Sequence, residues 1–270
     1  MCVNPLTLKQ DNKTNTVPCG RCFQCLKRMR NQWAIRLEQE LKYSKEAYFV
    51  TLTYHDDFIP LGKHGIPSLS KIDAQKMIKS LRNRTKKKGV KYFLVGEYGE
   101  KSFRPHYHAL LFNTGMNRLE THKYLLESWQ RGQIDIGTVT EASIRYCTKY
   151  IIQQYEVSEW VEPPFRLMSN GIGKGYLDSL QLKKYHKRDL SRDFITKQNG
   201  TKHALPRYYK EKLYTKRERE LQNIKRNTER LEKEKKDELN VNTKHFRNKQ
   251  DQTEAEKRVI NKGLKLNSKI

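Results

Sequence analysis

Leu26, Met29, Trp33, Leu37 and Leu41 recur at helical spacing, which puts one apolar stripe along a first helix of about five turns. The segment Tyr48 to Tyr54 (YFVTLTY) is β-branched and aromatic and predicts a strand. Pro60, Gly62, Gly65 and Pro67 mark a loop. Ser70, with Asp73 three residues on, predicts an N-cap, and Ile72, Met77, Ile78 and Leu81 continue a helix that Gly89 stops. Val90 to Val95 and His106 to Phe112 (HYHALLF) predict two strands around a turn region with Gly96, Gly99 and Pro105, forming a hairpin. Arg118 to Trp129 reads as helix, Gln133 to Val139 as strand, and Glu141 to Tyr155 as a final helix. From Tyr48 the order is β-α-β-β-α-β with an extra helix, the ferredoxin-like connectivity. The expected fold is α+β: an antiparallel sheet with helices packed on one face and the other face free to hold a ligand.

A mean hydropathy of -0.93 over 270 residues leaves apolar material for one core with polar appendages. Three parts are expected: residues 1–47 with a cysteine cluster and the first helix, 48–206 as the sheet domain with a C-terminal extension, and 207–270 as a charged tail. The tail holds 20 Lys and Arg against 11 Asp and Glu, with few large apolar residues after Tyr214. Over Lys216 to Leu239 a solvated single helix and disorder are both open. No internal repeat is visible.

Charge narrows the partner. Lys and Arg outnumber Asp and Glu by 55 to 30, giving +25 and a pI near 9.8, and most of the excess stays when the tail is set aside. A polyanion is therefore expected. No apolar run approaches the length of a spanning helix, and Lys9, Gln10 and Asp11 interrupt the N-terminus, so neither a membrane span nor a signal peptide is expected. Nucleic acid is the polyanion that remains.

Candidate chemistry concentrates on two elements. His106 and His108 flank Tyr107 in a strand, so the period of two sends both imidazoles to one side of the sheet, where they could clamp a divalent cation or simply be two surface histidines. Glu97, on the partner strand of the hairpin, could bring a carboxylate beside them. Two nitrogens and one oxygen suit Mg or Mn acting on a phosphate oxygen, and zinc accepts the same ligands. On the last helix, Tyr146 and Tyr150 are four apart and share a face, with Lys149 beside them. A phenol needs a nearby cation to become a useful nucleophile; without one, tyrosines at this spacing form a packed stripe.

Five cysteines, an odd number, point away from a disulfide framework. Cys19, Cys22 and Cys25 form C-x2-C-x2-C, and Cys2 could supply a fourth thiolate to a tetrahedral structural zinc; buried or inert thiols are the alternative. Cys147 reads as a packing residue. GIGKG at Gly171 to Gly175 lacks the length and ending of a P-loop, which argues against ATP and leaves a turn near a DNA backbone, with Lys174 as its cation. Tyr185 to Arg188 and Arg207, Tyr208 and Tyr209 mix aromatics with bases. They could stack on and neutralise single-stranded DNA or be ordinary surface.

TLTY at Thr51 to Tyr54, RPHYH at Arg104 to His108 and YCTKY at Tyr146 to Tyr150 resemble, in order and spacing, the three motifs of the HUH endonucleases. The resemblance is closer to the replication initiators of microviruses, gokushovirus branch. It extends to PCGRCFQC at Pro18 to Cys25, GEYG at Gly96 to Gly99, GIGKGY at Gly171 to Tyr176 and LPRYY at Leu205 to Tyr209. It implies Mg or Mn on His106 and His108, with Glu97 completing the set, and Tyr146 and Tyr150 as paired nucleophiles that form a 5'-phosphotyrosine and leave a 3'-hydroxyl primer for the host replication machinery. It also implies rejoining of the released strand, origin DNA in single-stranded and replicative form as partner, and the bacterial host cytoplasm as location. One departure is Gln153, where the family often has a second lysine; this places more on Lys149. Two other classes stay open: a non-catalytic single-strand binder, which would want aromatics where the histidines stand, and a metal-dependent hydrolase, which needs no tyrosine pair.

Overall fold

The computed structural model describes residues 2–10, 13–85, 89–152, 158–197 and 200–239. Its described residues fall into two compact units, divided between Gly173 and Lys174.

The first unit opens with a hairpin, β1 (Leu6–Gln10) and β2 (Lys13–Val17), followed by α1 (Phe23–Tyr43). Then come β3 (Ala47–Thr53), α2 (Lys71–Thr85), β4 (Lys91–Tyr98), β5 (Pro105–Phe112), α3 (Arg118–Trp129), β6 (Ile134–Thr138), α4 (Glu141–Lys149) and β7 (Phe165–Met168). The helices begin where local chemistry satisfies their free N–H groups. Ser70 Oγ accepts from Asp73 N before α2, while Asn117 with Glu120 and Thr140 with Ser143 form capping boxes on α3 and α4. The five-stranded sheet has the order β6-β3-β5-β4-β7, with every neighbouring pair antiparallel. Its first four strands are arranged as the ferredoxin-like connectivity requires, and β7 adds an edge beside β4.

Alternation along the strands divides the core in two. Val50, Leu52, Leu94, Tyr107, Ala109 and Leu111 face α2 and α3, where Met77, Ile78, Leu81, Leu125 and Trp129 close over them. Phe93, Val95, Leu110 and Phe112 face the opposite way and meet Leu37 of α1 and Ile144 and Cys147 of α4. The expectation of helices on one face alone is thereby corrected. α1 and α4 each carry a full apolar stripe, and the second face of the sheet is the surface that buries it.

α1 runs along that second face with Met29, Trp33 and Leu41 packed against the core. Near its end, the buried Glu40 takes both an ion pair from Lys91 at 2.9 Å and the N–H of Gly173 at 2.7 Å, while Arg36 Nε donates to the Ile172 carbonyl. The glycine-rich turn is thus bound to α1, and its Gly173 N–H is occupied by a carboxylate.

α4 is shorter than the pattern implied. It ends at Lys149, and Ile151 and Ile152 turn inward on bonds to Thr148 and Lys149 carbonyls because both isoleucines are buried. Gln153 and Tyr155 lie outside the described residues, as do residues 240–270.

The second unit holds α5 (Gly175–Asp178), α6 (Leu180–Arg188), β8 (Phe194–Thr196), β9 (Lys202–Ala204), α7 (Arg207–Leu213) and α8 (Lys216–Leu239). Tyr209 is fully buried and stacks on Tyr176 at 4.8 Å, beside the buried His186, whose Nε2 meets the Tyr176 hydroxyl at 2.6 Å. The start of α8 is tied in by Lys187 with Glu218 and by the Gln222 amide on the Leu190 carbonyl. Residues 207–214 therefore form part of this unit, which corrects the expectation that a tail begins at 207. The few apolar residues there are large ones. Among the described residues no helix is long and apolar enough to cross a membrane.

A glycine tests how tightly the first unit closes around the end of β3. A Cβ at Gly132 would run into the Thr53 carbonyl oxygen and the backbone of Tyr54 and His55. Gly132→Ala should lower stability by about 1–3 kcal/mol, the usual cost of overpacking, read as a lower thermal unfolding midpoint; an unchanged midpoint would contradict this packing.

Candidate functional site

The antiparallel ladder sets Glu97 opposite His106 and Val95 opposite His108, and on the other side of β5 it sets Thr51 opposite His108. Both histidines and the carboxylate emerge on the face covered by α1 and α4. Glu97 Oε1 lies 3.0 Å from His106 Nε2 and 2.9 Å from His108 Nε2. Glu97 is 2% exposed and His108 7%, so the cluster sits at the edge of the core.

The outer nitrogens of the rings are held as firmly as the inner ones. His106 Nδ1 donates to the Arg104 carbonyl at 3.0 Å, and His108 Nδ1 meets Thr51 Oγ1 at 3.0 Å. Such anchors orient each ring with Nε2 toward the shared centre. Phe49 stacks on His108 with centroids 5.5 Å apart.

α4 brings its tyrosines to the same place. The Tyr146 hydroxyl donates to Glu97 Oε1 at 2.9 Å and lies 3.2 Å from His108 Nε2. The Tyr150 ring stands edge-on to Tyr146 at 5.5 Å, and Lys149 Nζ lies 4.2 Å from the Tyr146 ring centre and 4.7 Å from that of Tyr150. Tyr150, at the helix C-cap, remains beside Tyr146 although the helix has ended.

Burial and charge set the protonation of the group. Burial raises the Glu97 carboxyl, but the hydrogen bonds and charge of His106 and His108 outweigh it and hold the group below its ordinary value. Burial opposes the charged form of His106, yet the Glu97 carboxylate and the Arg104 carbonyl leave its pKa raised. The Tyr146 phenol is pushed above its ordinary value by burial and then by the negative charge of Glu97. A phenol in this state stays protonated at neutral pH.

Glu97, His106 and His108 offer one carboxylate oxygen and two imidazole nitrogens, all within 4.8 Å of one another. This donor set fits a divalent cation such as Mg, Mn or Zn, and the ring orientations are those a cation would need. The second group of possible ligands is Cys2, Cys19, Cys22 and Cys25, whose sulfurs also lie within 4.8 Å of one another. Cys147 is buried in the core under α4, as a packing residue would be.

The residues read as DNA contacts are not members of this cluster. The Arg104 guanidinium is engaged by the Tyr54 carbonyl and by Asp56, each at 2.6 Å, and its own carbonyl is what orients His106. Lys174 and Arg207 are exposed and Tyr208 half-buried, all in the second unit. Sequence reasoning gave no part to Thr51 or Phe49. Thr51 was visible only as the head of TLTY, and its place opposite His108 follows from a strand pairing that one segment cannot reveal.

Residues 47–155 match the family of replication-associated protein ORF2. Among curated proteins, the chain is 27% identical over 213 residues to replication-associated protein VP4 of Bdellovibrio phage phiMH2K, covering 72% of this chain and 66% of that protein. It is 32% identical over 182 residues to replication-associated protein ORF2 of Spiroplasma virus 4, covering 60% and 57%. To replication-associated protein ORF4 of Chlamydia phage 1 it is 26% identical over 220 residues, covering 73% and 53%. The chain thus spans less than two thirds of the last two relatives and about that share of the first. No solved structure matches it. The matched segment runs from the first strand of the sheet through both tyrosines, and through it the chain belongs to the replication-associated protein ORF2 family.

Proposed function

We propose that this chain initiates rolling-circle replication of a phage genome, as microvirus initiators of the HUH type do, by cutting one DNA strand with a tyrosine and later rejoining it. The observation that carries this reading is the Tyr146 hydroxyl, 2.9 Å from Glu97 and 3.2 Å from His108, inside a group of side chains able to hold a cation. Packing alone would not place a phenol oxygen on a buried carboxylate.

Glu97, His106 and His108 would hold Mg or Mn, and that ion would polarise a phosphate oxygen and offset the carboxylate charge that keeps Tyr146 protonated. In the cutting step the Tyr146 oxygen bonds to phosphorus and the bond from phosphorus to the 3'-oxygen breaks. The phenol proton leaves through the solvent-facing side of the cluster, and the 3'-oxygen takes up a proton. The products are a 5'-phosphotyrosine and a free 3'-hydroxyl, which primes the host polymerase. One phosphodiester replaces another, so the same atoms in reverse seal the strand. Lys149, above both rings, supplies positive charge to whichever phenol or phosphate develops negative charge. Tyr150 is the second nucleophile, needed when Tyr146 is already occupied. The partners of this reading are single-stranded and replicative-form origin DNA in the host cytoplasm, attracted by the charge of +25.

Incubation with labelled single-stranded origin DNA and Mn, followed by denaturing electrophoresis, should yield a protein-linked label. Cleavage without an adduct would instead indicate a metal-dependent hydrolase, and binding without cleavage a single-strand binder.

His106→Ala or His108→Ala should reduce cleavage by at least about a hundredfold, with most DNA affinity retained because binding rests on many basic contacts; excess EDTA should do the same to the unaltered protein. Full cleavage in either case removes the metal from the mechanism.

Tyr146→Phe should lower first-strand nicking more than Tyr150→Phe, since Tyr146 is the phenol held at the cluster. Each single variant should keep a residual adduct on the remaining tyrosine and fail at strand termination, and the double variant should form none. Peptide mapping of the trapped adduct decides it: DNA attached outside Tyr146 and Tyr150 would show the assignment to be mistaken.

A further inference from the structure

The second ligand group lies at the base of the β1–β2 hairpin and takes no part in the proposed DNA chemistry. Cys2 stands four residues before β1, Cys19 two residues after β2, and Cys22 and Cys25 on the first turn of α1 and its cap. Three stretches of chain therefore bring their thiols to one point.

The geometry there is that of a single tetrahedral ion. The Cys22 and Cys2 sulfurs are 3.8 Å apart. Bonds of about 2.3 Å from zinc to sulfur arranged tetrahedrally give edges of about 3.8 Å, whereas a disulfide would need about 2.05 Å. Backbone N–H groups already point at the sulfurs: Cys19 N donates to Cys2 Sγ and Cys22 N to Cys19 Sγ, both at 3.3 Å. Such bonds stabilise thiolates, as does the N-terminus of α1, whose first turn has no acidic residue.

The hairpin supplies an independent argument. Its strands are five residues each, and Leu6 and Leu8 are 47% and 51% exposed, so it has no buried face of its own. A two-stranded hairpin of this kind is marginal in water unless something ties its base. The cysteines sit where that tie is needed.

We propose that Cys2, Cys19, Cys22 and Cys25 bind one structural zinc ion, which clamps residue 2 and the hairpin base onto the start of α1. The ion displaces the thiol protons to solvent and remains in its +2 state throughout, so no redox partner is involved. Fixing the start of α1 also fixes a helix that packs, through Trp33 and Leu37, into the same core as Tyr146 and Tyr150. The zinc is thereby a positioning element for one wall of the tyrosine site, and it stands whether or not the DNA chemistry proposed above is correct.

Elemental analysis of the full chain, purified under reducing conditions and dialysed, should give about one zinc per chain. His106→Ala/His108→Ala should keep that zinc, and Cys19→Ser/Cys22→Ser should lose it. Should the cysteine variant fail to fold, replacing zinc by cobalt(II) in the unaltered chain still decides the matter, because four thiolates give cobalt the intense visible absorption of a tetrahedral site. Absence of zinc, retention of it in the cysteine variant, loss of it in the histidine variant, an octahedral cobalt spectrum, or iron with sulfide in its place would each overturn the proposal.

Discussion

In the ladder between β4 and β5, Glu97 faces His106 and Val95 faces His108, and a slip of one residue would turn both imidazoles to the other side of the sheet. The strand cannot slip without loss on two fronts. Tyr107, Ala109 and Leu111 belong to one core and Leu110 and Phe112 to the other, so moving the histidines would expose or invert all five. β5 is also the middle strand of five, paired along its length with β3 and with β4. The placement of three polar side chains is thus enforced by the burial of their apolar neighbours on the same strand.

A carboxylate as buried as Glu97 needs partners, and the structure gives it three: two imidazoles and a phenol on one oxygen. Each partner is itself held from outside, the rings by Arg104 and Thr51 and the phenol by α4. The result is a polar cluster in which no member can turn away without leaving another unsatisfied. α4 is kept there by Ile144 and Cys147 beneath it, and α1 completes the wall with Trp33 and Leu37. Packing and polar chemistry therefore share the same elements.

Much of this was legible in the sequence, for reasons that separate cleanly. The histidine pair follows from strand period alone, the helix starts at Ser70 and Arg118 from capping chemistry, and the strand order from the succession of elements. An apolar stripe, however, says that a helix has an inner side without saying which face of the sheet it covers, so the positions of α1 and α4 were not readable. Nor was the end of α4, since Ile151 and Ile152 fit a helix as well as an inward turn. The hairpin of Leu6–Val17 has no apolar face to announce it, and β7 is four residues long, too short to show a period. The division after Gly173 escaped notice because the large buried residues of the second unit, Tyr176, Tyr209 and Tyr214, are scattered among lysines and arginines.

The early end of α4 makes the two tyrosines unequal. Tyr146 lies within the helix with its hydroxyl on Glu97, whereas Tyr150 is the first residue past the last helical turn, and Ile151 and Ile152 beyond it close by tighter bonds to Thr148 and Lys149. A residue at such a junction can be re-aimed by rotating a few backbone angles, while one inside the helix moves only with the whole element. Under the proposed chemistry the pair is then a fixed post and a swinging arm, and alternation between them is a local pivot at one end of α4 that leaves the sheet and its histidines at rest.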